Sequence, residues 1–251
     1  MNERLLHAFQ SCSLEQINNS GLFRNRVDRK YVLPVEALEE LLLYCQPYYQ
    51  ILEIKSIRSF SYQTDYYDTA MLTTYHLHHN GRGNRFKIRE RSYINTGLHY
   101  VEVKKRNHKG ATEKVRLEGS GVREAGTMIQ AETGLSSKEL IHTLRSRYTR
   151  ISLLHKTENE KVTIDLDLSF SHQEKNLLLP HILMVEIKTP SRNESQLVSY
   201  MKRNGFRQGS LSKYCLGLIG LNPDLKHNRF KKSFTKILNK NKHGHSRILQ
   251  Q

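Results

Sequence analysis

Polar and apolar residues alternate with a period of two through most of the chain, the spacing of strands with one buried face. The pattern is clearest in Arg85-Phe86-Lys87-Ile88-Arg89-Glu90-Arg91-Ser92-Tyr93, an Asn95-Thr96-Gly97 turn and Tyr100-Val101-Glu102-Val103-Lys104-Lys105-Arg106. As strands these place Arg85, Lys87, Arg89 and Arg91 on one face, and Glu102, Lys104 and Arg106 on one face of the next. A third run, Thr112 to Glu118, alternates Lys114, Arg116 and Glu118 with Val115 and Leu117, which predicts a three-stranded meander. The same spacing predicts a strand over 23–33 with Arg26, Asp28 and Lys30 on one side, one or two over 51–67, and others over 147–154, 161–168 and 182–188. In the last two, Lys161, Asp165 and Asp167, and Glu186 and Lys188, oppose the apolar sets Val162, Ile164, Leu166, Leu168 and Leu183, Val185, Ile187.

Helical spacing predicts helices over 3–17, over 35–45 after Pro34, from Met71 through Leu77, over 122–131 and 136–146, and over about 194–203. Ser136-Ser137-Lys138-Glu139 has the form of a capping box. His76, His78 and His79 do not converge from one helix, so they read as surface residues and not as metal ligands. Beyond Pro223, eight lysines and arginines stand against Asp224 alone, and 223–251 reads as a basic, disordered tail. The chain is thus expected to divide into an N-terminal helix in 1–20, one strand-rich domain over 21–222 and that tail.

Strands with one charged and one apolar face can satisfy both faces and their edges by curling into a barrel. The expected fold is α+β: an antiparallel barrel of about eight strands enclosing a charged tunnel, with helices packed outside. Cations spaced two apart on such a face repel one another by roughly 1 kcal/mol per close pair in water, and more where solvent is excluded. A polyanion relieves that repulsion, and the formal net charge of +16 over 251 residues points the same way. Cys12, Cys45 and Cys215 form no CxxC pair, which argues against a disulfide framework or zinc site. No signal peptide or membrane span is evident, and a cytoplasmic protein, peripheral to a membrane at most, is expected.

The runs Asp28-Arg29-Lys30-Tyr31, Tyr66-Tyr67-Asp68-Thr69, Lys87 to Tyr93, Glu102-Val103-Lys104, Val162 to Asp165, Val185 to Lys188 and Ser212-Lys213-Tyr214 together resemble the VTC domain. This is the polyphosphate polymerase branch of the triphosphate tunnel metalloenzymes, and the resemblance covers about residues 22–218. It implies a metal-dependent transfer of the terminal phosphoryl group of ATP onto a growing polyphosphate chain, possible primers including pyrophosphate. By position it implies that Lys30, Arg89, Arg91, Lys104, Lys114, Arg150 and Lys213 hold phosphates in catalysis and that Glu186 holds Mn or Mg. Arg26, Lys87, Arg106, Lys161, Lys188, Ser212 and Tyr62 join them as candidate substrate contacts. Two places depart from the eukaryotic polymerases, with Arg106 for a histidine and Ser210 for an extra lysine.

Each of these residues could instead belong to an interior lattice of ion pairs, and Glu102, Glu118, Asp165 and Asp167 suit that role as well as metal binding. Competing functions are hydrolysis of tripolyphosphate or a nucleoside triphosphate in the same tunnel, and a non-catalytic module for polyphosphate or inositol phosphates. Nucleic-acid binding fits the charge but no reader motif, so no specific nucleic acid is expected. Eukaryotic relatives carry membrane-spanning segments, so a membrane-protein partner is a further expectation, with the basic tail as its contact.

Overall fold

The computed structural model describes residues 3–19, 27–108, 112–119, 121–190, 195–210 and 212–248. In chain order the elements are α1 (Glu3–His7), β1 (Ser11–Cys12), α2 (Leu14–Asn19), β2 (Val27–Pro34), α3 (Leu38–Cys45), β3 (Tyr49–Leu52), β4 (Phe60–Thr69), α4 (Thr73–His79), β5 (Arg85–Tyr93), β6 (Leu98–Arg106) and β7 (Thr112–Glu118). They continue with α5 (Gly126–Thr133), β8 (Leu140–His155), β9 (Lys161–His172), β10 (Lys175–Leu179), β11 (Ile182–Thr189), α6 (Gln196–Arg203), α7 (Lys213–Leu221) and α8 (Lys231–Ile248). Eight strands follow one antiparallel path, β2-β11-β9-β8-β4-β5-β6-β7, with β10 paired to β9 and β3 to β8 and β1. The α+β antiparallel architecture is the expected one. Closure differs: the path runs from β2 to β7, and no ladder joins those two among the described residues.

Three apolar layers surround the sheet. The outer faces of β2, β11, β9 and β8 carry Tyr31, Leu33, Val185, Ile187, Val162, Ile164, Ile151 and Leu153, which pack under α1, α3 and α6. Ile88, Val101 and Val103 of β5 and β6 pack under α5. The third layer lies on the same face as the charged residues, where Tyr62, Tyr66, Leu144, Tyr148, Leu168 and Phe170 meet Tyr214, Leu216 and Leu218 of α7. A Cβ on Gly217 would sit 2.6 Å from Phe170 and 2.7 Å from Leu144, so glycine lets α7 lie directly on the sheet.

A β-bulge makes that third layer possible. Asp167 has φ 52° and the β8–β9 register shifts between Arg147 and Thr149. The left-handed backbone, which aspartate tolerates better than most residues, turns Asp167 out to solvent and reverses the alternation beyond it. Leu168 therefore joins Phe170 beneath α7 instead of continuing the outer row of Val162, Ile164 and Leu166. This corrects the expected placement of Asp167 on the face of Lys161 and Asp165.

Other expectations change as well. The helix expected over 3–17 is broken by β1, which pairs in parallel with β3. The capping box at Ser136 and Glu139 is present, but it caps a single 3-10 turn that gives way to the sixteen-residue β8 where a helix over 136–146 is expected. Tail residues Lys231–Ile248 form α8 instead of a disordered segment, because Ile237 is buried in the core with Phe230, Phe234 and Leu238 packed beside it. Among the described residues no helix is long and apolar enough to cross a membrane.

Candidate functional site

Period-two alternation on the inner faces brings Lys30 (β2), Glu186 and Lys188 (β11), Lys161, Thr163 and Asp165 (β9), Tyr148 and Arg150 (β8), Tyr62 (β4), Lys87, Arg89 and Arg91 (β5), Lys104 (β6) and Lys114 and Arg116 (β7) around one cavity of about 1010 Å³. Lys213, the first residue of α7, enters it from the end that α7 covers. Fourteen lysines and arginines line this cavity against three carboxylates, Glu113, Asp165 and Glu186.

Two carboxylates organise the cations into fixed groups. Glu102 is fully buried beneath the lining and accepts from Arg89 at 2.7 and 2.8 Å and from Lys114 at 3.2 Å, with Arg91 at 3.7 Å. Burial pushes its carboxyl up, but Arg89, Arg91 and Lys114 outweigh that and hold it well below the usual range. Asp165 accepts both arms of Arg150, at 2.5 and 2.8 Å, and the Lys213 ammonium. Its carboxyl is lowered to about 2, because Arg150 and Lys213 overcome the effect of burial. Glu102 and Asp165 are thus ion-pair partners that fix the positions of Arg89, Lys114, Arg150 and Lys213.

Glu186 is different. It lies opposite Lys30 on β2 and Thr163 on β9, and it pairs with Lys188 at 3.2 Å. Burial opposes its ionisation, yet Lys188, Lys30, Lys104 and Arg150 hold the carboxyl well below its ordinary value. Across the cavity, burial lowers the Lys104 ammonium to about 7, Glu186 partly opposing and Lys30 reinforcing the shift. Burial also drives Lys87 well below the usual lysine range. Its ammonium lies 3.4 Å from His78 Nδ1, while His78 Nε2 lies 3.1 Å from the Phe86 carbonyl. A neutral His78 that donates from Nε2 and accepts at Nδ1 fits this geometry, in keeping with its lowering to about 2 by burial and by Lys87 and Arg85. His78 is therefore half-buried beside the cavity and His79 is buried, contrary to the expected surface placement.

Aromatic rings hold the guanidinium groups from the other side. Tyr62 stacks on Tyr148 with centroids 5.3 Å apart, and Arg150 lies 5.0 and 5.2 Å from their centroids. Lys213 sits 4.6 Å over Tyr148 and Arg116 4.6 Å over Tyr100. Burial raises the Tyr148 hydroxyl, but Arg91, Arg150 and Lys213 outweigh it, and the net shift is downward.

The cavity gathers thirteen of the fifteen candidate residues: Lys30, Tyr62, Lys87, Arg89, Arg91, Lys104, Lys114, Arg150, Lys161, Glu186, Lys188, Ser212 and Lys213. Arg106 is exposed at the end of β6, opposite Arg85 and Thr112 and away from the lining. Arg26 lies outside the described residues. Ser212 caps α7, its hydroxyl accepting from the Cys215 N–H at 3.2 Å. Glu118 is exposed on β7 opposite Tyr100. Two of the sequence runs also meet structurally: buried Asp68 accepts from the Thr74 and Tyr75 N–H groups at 2.8 and 2.9 Å and from the Tyr214 hydroxyl, tying α4 to α7. Arg116, Arg207, Lys236 and Lys240 line the cavity without having been candidates, and the last two come from α8.

A metal can be tested against these donors. Among the described residues no three His, Cys, Asp or Glu side chains converge. Glu102 and Asp165 are committed to cations, which leaves Glu186 on β11 and Glu113 on β7 as the other carboxylates of the lining, with Glu186 the one set among Lys30, Lys104 and Lys188. That does not make an all-protein cage, but it fits an Mg-like ion, which keeps waters and binds through one or two carboxylates plus substrate phosphates.

The VTC domain family matches residues 25–222, which includes every strand from β2 to β11 and α7. The chain belongs to the VTC domain family. No curated protein sequence matches it. Among solved structures, a Hippeastrum protein described provisionally as an adenylyl cyclase with a dominant triphosphatase activity is 15% identical, with TM-score 0.51 over 81% of this chain and 100% of its own. A Bacillus halodurans protein described provisionally as an adenylate cyclase is 10% identical, with TM-score 0.51 over 75% of this chain and 94% of its own. Both are similar to this VTC-family chain in fold.

Proposed function

We propose that this protein is a polyphosphate polymerase, transferring the terminal phosphoryl group of ATP to a polyphosphate chain held in the cationic cavity. The observation that carries the reading is the excess of cations over carboxylates around one cavity of about 1010 Å³, with Arg89, Arg91, Arg150 and Lys213 already fixed by Glu102 and Asp165. Phosphoryl transfer needs in-line positioning and charge neutralisation more than a covalent nucleophile. Arginine forks held from behind by carboxylates and rings supply both without reorganising when substrate arrives.

The protonation states favour a phosphate acceptor over water. Water needs a base titrating near the working pH, whereas Glu102, Asp165 and Glu186 are all held below the usual carboxylate range. Lys104 titrates near 7 when the cavity is empty, but bound phosphate stabilises its ammonium and removes it as a base. A terminal phosphate of the growing chain arrives ionised and needs no proton removed. Glu186 would hold Mg or Mn beside the substrate phosphates, where the ion neutralises the charge on the transferred group. Lys30 and Lys188 flank that carboxylate and would contact the same phosphates.

The experiment incubates the protein with γ-labelled ATP, Mn and a pyrophosphate primer, and separates long-chain product from free phosphate. Label in chains, lost in Glu186→Ala, supports the polymerase. Label only in free phosphate replaces it with a hydrolase, and no turnover with intact tripolyphosphate affinity replaces it with a binding module.

A further inference from the structure

The α8 helix lies beyond the family-matched residues and contributes to the rim of the cavity, where lining residue Lys236 is exposed and lining residue Lys240 half-buried, and this rim is the mouth referred to below. At its start, the Tyr75 hydroxyl donates to the Lys226 carbonyl at 3.0 Å, His79 pairs with Asn228 at 2.8 Å, and the Phe230 ring lies 5.6 Å from that of His79. These contacts fasten it to α4, beside β5. Further along it packs on β2 and β11, and Asn241 accepts from the His181 N–H at 3.1 Å. Ile237 is buried between these anchors, so the helix is seated on both sides of the mouth.

That seating turns Ser233, Lys236 and Lys240 into lining residues of the cavity. Residues 231–248 contain no aspartate or glutamate, and neither Lys236 nor Lys240 makes an ion pair with a described residue. Like charges four apart on a helix destabilise it, and burial together with Lys236 lowers the Lys240 ammonium. The arrangement is unfavourable when empty and relieved by an anion lying between the helix and the tunnel.

We propose that Lys236 and Lys240 form a second, outer polyphosphate site at the mouth, holding the part of a long chain that extends past the tunnel. The proposal rests on the polyphosphate reading of the cavity and adds a place for chain too long to fit within it. It assigns a function to charges that would otherwise read as a non-specific tail.

The test uses the full chain and calorimetry with two probes, tripolyphosphate and a long-chain polyphosphate, at several salt concentrations. In the double variant Lys236→Gln, Lys240→Gln the ratio of long-chain to tripolyphosphate affinity should fall about tenfold. The salt slope for the long chain should drop by about 1.4, at about 0.7 per lost contact. Lys236→Arg, Lys240→Arg should keep both, which separates lost charge from a disturbed helix. An unchanged ratio overturns the outer site and leaves the tunnel reading standing. Wild-type protein that binds neither probe overturns the tunnel reading itself, and the outer site with it.

Discussion

Lys104 makes anion binding depend on pH in a way that can be calculated. Its ammonium is lowered to about 7 in the empty cavity by burial, against the opposing charge of Glu186. A polyphosphate chain alongside stabilises the protonated form, so binding takes up a proton wherever the empty site is neutral. Between pH 6 and pH 8 the protonated fraction falls from about nine-tenths to just under one-tenth, which weakens binding about tenfold, or ~1.4 kcal/mol. Long-chain polyphosphate is the suitable probe, because its internal phosphates stay ionised over this range. Calorimetry at pH 7 in two buffers of different protonation enthalpy should show uptake of about half a proton attributable to this group. Lys104→Met should bind more weakly and lose that part of the slope and of the uptake. The same slope and uptake in wild type and Lys104→Met would refute the reasoning. The linked stability has the opposite sense. A lysine whose folded pKa is depressed leaves the unfolded state binding more protons between about 7 and 10.4, so its contribution makes the empty protein more stable as pH rises through that window.

Other predictions test the scaffold. Glu102→Gln leaves Arg89, Arg91 and Lys114 without their buried anion, so thermal unfolding should show a loss of about 3–5 kcal/mol. Tripolyphosphate should restore more stability to that variant than it adds to wild type; equal gains would mean that the phosphates do not reach these cations. Gly217→Val forces α7 off Phe170 and Leu144 and should cost about 1–3 kcal/mol in denaturant unfolding. Unaltered stability there would contradict the seating of α7.

The charged faces of β5, β6 and β7 were legible because their inner positions Arg85 to Arg91, Tyr100 to Arg106 and Lys114 to Glu118 are long and polar in unbroken succession at a period of two. The cavity followed from repetition of that face along the chain, which also brought in Lys30, Arg150, Lys161 and Glu186. What stayed hidden depended on breaks in the pattern. In β8, Leu140, Leu144 and Tyr148 are spaced four apart while His142 and Ser146 interrupt the period-two apolar row, so a long strand imitates a helix. One left-handed aspartate at 167 moves Leu168 from one layer to another, and alternation alone cannot signal it. The apolar set Phe230, Phe234, Ile237 and Leu238 has helical spacing, but dense lysines hid it, and with it the lining residues Lys236 and Lys240.

The most direct test of the central claim is a crystal structure of the protein with tripolyphosphate. Phosphates bound among Arg89, Arg91, Arg150 and Lys213, with Glu186 and Lys30 beside them, are the predicted result. An empty cavity in crystals whose phosphates lie only on the outer surface would contradict it.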